Sequence, residues 1–247
     1  MIRVFSIITL VILFCFSAHY SLANLPLNCK MATDQLASLN APLKTLPLRV
    51  VLDSGFGATQ KKKIMQAIDE WNSFSKKELG KTFFVFDKAA TSNYQKFLLG
   101  NKYCRAKVGG KPEGLLIIGE NSVAHWRATA GELEKGSAFN LRCSLGDGVK
   151  QSQQIIEIRL PSINYDQFQS VVLHELGHAI GLHHSCRSGE GFIHYRDCSG
   201  LNFQHPYFMA VMYPVLLSTS IAYNDRSIKE SLQRNDIERA YCLYGDR

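Results

Sequence analysis

His174-Glu175-Leu176-Gly177-His178-Ala179-Ile180-Gly181-Leu182-His183-His184, led in by Val171, Val172 and Leu173, is the stretch on which the reading of the chain turns. It has the form HExxHxxGxxH. His174 and His178 are four residues apart, so on a helix they lie one turn above each other on the same face. Two imidazoles so placed can meet a single zinc ion at about 2.0–2.1 Å. Glu175 lies between them in sequence and is not placed as a ligand, which suits a carboxylate that takes a proton from zinc-bound water. Gly181 is expected to end the helix, because glycine accepts a left-handed backbone at little cost. The turn then brings His184 round as a third ligand. His183 points elsewhere after the turn and is expected to be solvated.

A bare HExxH arises by chance on amphipathic helices. The extended form also requires a helix-ending glycine and a third histidine at fixed offsets, in a chain with eight histidines. In this form the stretch resembles the metzincin metallopeptidases, and within them the matrixins. Ala210-Val211-Met212-Tyr213-Pro214 is similar to the matrixin methionine turn, Ser185 follows the third histidine as in that group, and Leu232 to Gly245 (LQRNDIERAYCLYG) resembles its closing helix. The resemblance covers roughly Leu48 to Gly245. It implies an α+β catalytic domain: a twisted, mostly parallel five-stranded sheet with an antiparallel edge strand, an active-site helix, the methionine turn and a C-terminal helix. It further implies that Met212 lies under the zinc histidines and that Pro214, Val215 and Leu216 wall the pocket for the substrate side chain just after the cut bond. The apolar Val215 and Leu216 then favour a hydrophobic residue there. Asp236 matches an acidic position of the family helix, while Asn235 stands where an acid is usual. No glycine- and aspartate-rich stretch like the one that holds structural calcium in animal matrixins is present, so one zinc ion is expected and calcium is not.

Residues 1–23 read as a leader. Arg3 is followed by an apolar run from Val4 to Phe16, and Ser21-Leu22-Ala23 offers small residues for cleavage. The run is short of the ~20 residues a membrane-spanning helix needs. Export without stable membrane insertion is therefore expected, to the outside of the cell or its envelope. Six cysteines follow the leader: Cys29, Cys104, Cys143, Cys186, Cys198 and Cys242. An even count in an exported chain argues for three disulfides, among 15 possible connectivities. Cys186 and Cys198 bracket one loop and make the first choice; Cys104–Cys143 and Cys29–Cys242 follow by elimination. In matrixins a pro-segment cysteine can block the zinc, but Pro26-Leu27-Asn28-Cys29-Lys30 lacks the family's arginine and glycine neighbours, so a disulfide is preferred for Cys29. The formal charge of +7 is a modest field. No nucleic-acid motif accompanies it, and Lys61-Lys62-Lys63 reads as a solvated helix face.

After a lead-in over 24–47, one domain is expected over 48–247. Leu48 to Asp53 is a first strand, and a helix follows with Thr59 as its N-cap and Ile64, Ala67, Ile68 and Trp71 as its core stripe. Thr82 to Phe86 and Gly114 to Gly119 are the next strands, the latter buried on both faces. Ser137 to Arg142 is either an edge strand, which by the resemblance would pair with substrate, or a disulfide-pinned loop. Ile155 to Leu160 feeds the active-site helix, which begins near Asn164 or Tyr165 with Asp166 in its first turn. Ser185 to Met209 is an insertion relative to matrixins and reads as a disulfide-closed flap, with Phe192, His194, Tyr195, Phe203, His205 and Tyr207 able to line a subsite. Asn235 to Tyr244 closes the domain, turning Ile237, Ala240, Tyr241 and Tyr244 inward.

The expected activity is that of a secreted, monomeric zinc endopeptidase acting on peptide or protein substrates, with Glu175 as general base. The alternative is an exported zinc-containing binding protein, or an inactive homologue, that captures peptides or envelope polymers without cutting. The retained Glu175 argues against it, since a structural site needs no base.

Overall fold

The computed structural model describes residues 29, 39, 42–92, 114–122, 124, 126, 137–145, 150–186, 197–198, 201–202, 204–214 and 228–245, with the main chain alone for 89–92, 143–145 and 150–153. The expected leader over 1–23, the stretch 94–113, the Cys104–Cys143 pair, Phe192, His194, Tyr195, Phe203, Val215 and Leu216 lie outside the described residues or side chains. Among the described residues the fold is α+β. Five strands form one sheet, β1 (Leu48–Asp53), β2 (Phe84–Ser92), β3 (Gly114–Glu120), β4 (Ala138–Leu145) and β5 (Lys150–Arg159), in the order β2-β1-β3-β5-β4. All neighbours are parallel except β4, which runs antiparallel to β5 at one edge. The helices that accompany it include α1 (Ala58–Leu79), α2 (Phe168–Ile180), the short α3 (Pro206–Met209) and α4 (Arg234–Tyr244).

The chain returns from β1 through α1 to the parallel strand β2, the crossover that a strand, helix and strand in this order favour. The stripe Ile64, Ala67, Ile68 and Trp71 is buried and joins Val50, Leu52, Leu115, Ile117, Ile156 and Ile158 in the core between sheet and helices. Every residue of β3 is buried, as its continuous apolar run requires. In α2 every residue but His178 is buried, so this helix runs through the interior rather than over the surface. Trp71 joins the two helices by donating its indole N–H to Leu173 O at 3.0 Å.

Several boundaries differ from the sequence reading. Helix α1 is capped by Gly57, whose N–H donates to Gln60 Oε1 at 2.8 Å; Thr59 therefore lies inside the first turn. The second strand starts two residues after Thr82, because Asn72 Oδ1 accepts from both Phe83 N and Phe84 N. Strand β5 begins at Lys150, five residues before Ile155, where its N-terminal half pairs with β4. The edge-strand reading of Ser137 to Arg142 thus holds over the loop reading. Tyr165–Gln167 form a 3-10 turn and the α-helix proper starts at Phe168, so Asp166 precedes its first turn. In α4, Ala240 and Tyr244 are buried as expected, whereas Ile237 and Tyr241 are only partly covered; Asp236 and Arg239 are fully buried on the inner face.

Two disulfides are described, Cys29–Cys242 and Cys186–Cys198. No helix among the described residues is long and apolar enough to cross a membrane.

Asn72 offers a direct test of how α1 and β2 are joined. Its side chain also donates from Nδ2 to Phe84 O at 2.8 Å, giving three hydrogen bonds in a buried position. Asn72→Ala should lower unfolding free energy by about 3 kcal/mol, since it strands buried main-chain groups as well as removing bonds. Urea titration would measure this, and a loss under about 1 kcal/mol would refute the joint.

Candidate metal centre

The site is built on the exit of α2. Its His174 and His178 lie on one face, their rings edge to face with centroids 4.7 Å apart, and Gly181 ends the helix with φ 112°, a left-handed conformation that other residues rarely adopt. The Gly181 N–H donates to His178 O, and Leu182 N donates back to Gly177 O, both at 3.0 Å. This reversal brings the His184 ring within 5.2 Å of His174 and 4.8 Å of His178, centroid to centroid. Ligand atoms of the three histidines all lie within 4.8 Å of one another. His183, next to them, faces solvent.

Two of the rings are oriented through Nδ1. His174 Nδ1 donates to Val211 O at 2.8 Å and His178 Nδ1 to Leu182 O at 2.7 Å, which leaves Nε2 of each with a free lone pair. Burial also keeps the rings neutral. It pushes His174 down to about 4, with Lys229 and Arg239 adding to the shift, and His184 down to about 3; it holds His178 well below the usual imidazole value. Burial drives Glu175 the other way, raising its carboxyl to about 8. Glu175 Oε2 is buried without a hydrogen-bond partner among the described residues. Three neutral nitrogen donors, with the buried carboxyl of Glu175 beside them, fit a divalent, nitrogen-preferring cation such as zinc.

Met212 lies directly beneath. A Cβ built on Gly177 would come 2.3 Å from Met212 Sδ and 3.2 Å from Trp71, so only glycine lets helix and methionine approach this closely. The 210–214 turn is fixed from α4: Asp236, fully buried, accepts from Val211 N at 2.8 Å, Met212 N at 3.1 Å and Gln233 N at 3.1 Å. Ser185 ties the same turn to the third histidine, donating from N to Met212 O at 2.7 Å and from Oγ to Tyr207 O at 2.6 Å. Pro214 is partly exposed at the end of the turn.

Other anchors have no signature in the sequence. Arg142 on β4 donates to His178 O and Ala179 O, Gln154 on β5 donates to Ala179 O at 3.0 Å, and Tyr244 donates to Ile180 O at 2.6 Å. Arg239 Nη2 donates to His183 O at 2.8 Å and His184 O at 3.2 Å. Lys229 Nζ donates to Phe208 O and Ala210 O, both at 2.6 Å, and sits 5.3 Å from the Tyr213 ring centroid. Among the methionine-turn anchors, Asp236 and Ser185 were signalled by the resemblance, whereas Lys229 was not.

No family model matches the chain, and no curated protein does. Among solved structures, that of myroilysin aligns over 86% of this chain and 98% of its own, with 11% sequence identity and a TM-score of 0.43.

Gly177→Ala should destabilise the fold by about 1–3 kcal/mol, because overpacking against Met212 and Trp71 outweighs the helix preference of alanine, worth about 1 kcal/mol. A neutral or stabilising effect in chemical denaturation would refute the close approach. Lys229 gives a pH test. Burial lowers its ammonium to about 8 from 10.5, partly opposed by the charge of Asp236. The unfolded chain then binds more protons than the folded one across that window, so this lysine makes stability rise with pH between about 8 and 10. Lys229→Met removes the term. Its melting temperature should climb less, or fall more, than that of the wild type over that range, and parallel curves would rule the term out.

Proposed function

We propose that this chain is an exported zinc-dependent endopeptidase of matrixin-like type, with the catalytic domain over 48–247. The convergence of His174, His178 and His184 beside the unsatisfied carboxylate of Glu175 carries this reading. Nε2 of His174 and of His178, with the ring of His184, would hold the ion. Bound there, zinc supplies a Lewis acid that acidifies a water and polarises a peptide carbonyl.

The remaining chemistry belongs to Glu175. Its carboxylate accepts a proton as water oxygen adds to the carbonyl carbon, and returns that proton to the amide nitrogen as the C–N bond breaks. No covalent intermediate with the chain is required.

The edge strand β4 supports an extended peptide as substrate. Among the described residues it pairs on one side alone, with β5, and an outer edge offers N–H and C=O groups whatever the sequence of the bound chain. We assign the wall of the pocket after the cut bond to Pro214, Val215 and Leu216, which favours a hydrophobic side chain there. The two disulfides fit an oxidising compartment, and with the leader-like residues 1–23 they support secretion; the secreted chain is taken to be a monomer that acts on peptides or proteins.

The test is hydrolysis of a mixed peptide library by the exported chain, alongside Glu175→Ala, with zinc content measured on both. Cleavage by the wild type should exceed that by the variant at least about a hundredfold at equal zinc. Equal zinc with no cleavage by either protein would refute the peptidase.

A further inference from the structure

Beyond Gly181 the chain has left the helix, and His184 lies in a segment without repeating main-chain hydrogen bonds. The direction of its ring therefore depends on what holds the peptides around it. Two tethers are close. Ser185 N donates to Met212 O, and Arg239 Nη2 spans the carbonyls of His183 and His184 with its two N–H groups.

Arg239 is unusual for a stabilising surface cation, because it has no solvent exposure. Burying a guanidinium is expensive unless a counter-charge and acceptors accompany it. Both are present. Asp236 lies one helical turn before it on α4 and interacts with it electrostatically, while the carbonyls of the third histidine and its neighbour accept its protons. The same Asp236 accepts from Val211 and Met212, and Val211 O in turn receives His174 Nδ1. A single run of contacts thus joins α4 to the third histidine on one side and to the first on the other.

We propose that Arg239 is a positioning residue for the metal centre: by fixing the peptides of His183 and His184 from beneath, it sets the geometry of the third ligand relative to the two on α2. This rests on the zinc reading of the three histidines. A lysine cannot replace it fully, since both bonds come from Nη2 at the far end of the guanidinium, and the shorter lysine side chain ends one bond earlier.

The full chain would be prepared as wild type, Arg239→Met, Arg239→Lys and Asn72→Ala. The last removes buried hydrogen bonds at the α1–β2 joint, away from the histidines, and controls for general loss of stability. Zinc affinity would be measured by competition with a chromophoric chelator, and ligand geometry by the visible absorption of the cobalt(II) form, with near-UV circular dichroism to show folding. Arg239→Met should bind zinc roughly 10- to 100-fold more weakly, the range found for groups that orient metal ligands. Its cobalt spectrum should shift in position or intensity, Arg239→Lys should fall between it and the wild type, and Asn72→Ala should melt earlier with an unchanged spectrum. If Arg239→Met does not fold, Arg239→Lys carries the same comparison. Wild-type affinity and spectrum in a folded arginine variant would overturn the proposal and leave the zinc reading standing. Failure of the wild type itself to bind zinc or cobalt would overturn both.

Discussion

The last four carbonyls of an α-helix have no donor inside the helix, and where that end is buried each must find one elsewhere. At the exit of α2 the donors come from widely separated parts of the chain. Gly177 O and His178 O are met by the local turn through Leu182 and Gly181. His178 O and Ala179 O are also met by Arg142 from the edge strand, Ala179 O by Gln154 from β5, and Ile180 O by Tyr244 from the closing helix. The requirement to satisfy these carbonyls fixes α2 against the sheet and α4 together. Because His174 and His178 ride on that helix, fixing its end also fixes two of the three nitrogen donors.

The third donor and Met212 are held by a different chemistry. Both lie on irregular chain, which has no ladder to keep it in place, and the fold answers with buried charge. Asp236 collects N–H groups from the methionine turn, while Lys229 and Arg239 donate to carbonyls on either side of it. Burial alone would neutralise these groups; it raises Asp236 and lowers Lys229. Their opposite charges and the surrounding main-chain dipoles work against that shift. An apolar cluster of equal volume would pack as well, but it would not specify which carbonyl points where. Directional bonds are what a ligand on a loop needs.

This division explains what the sequence revealed and what it concealed. His174, Glu175, His178, Gly181 and His184 are legible because their geometry is local: helical periodicity and one left-handed turn relate them within eleven residues. The core stripe of α1 and the buried run of β3 follow from periodicity for the same reason. The anchors obey no local rule. Trp71 reaches Leu173 across a sequence separation of 102, and Arg142 reads in isolation as an ordinary charged residue on an edge strand. Arg239 and Lys229 would be placed on the surface by composition alone, since such residues are seldom buried unless paired. The displaced cap at Gly57 is a subtler case. Thr59 is the better capping residue, but Gln60 takes the N–H of Gly57 and starts the helix earlier.

The position of Cys29 bears on whether the lead-in acts at the metal centre or behind it. Its sulfur is bonded to Cys242 on α4, so it is not available as a thiolate ligand to the histidine site. Two further contacts place the same segment. Leu39 bridges to Leu182, whose carbonyl orients the His178 ring, and Leu43 N donates to the Tyr244 hydroxyl that in turn donates to Ile180 O. Each contact falls on the turn or helix end that supports the histidines. The described residues of the lead-in, 29, 39 and 42–47, therefore brace α2 and α4 where those elements support the histidines.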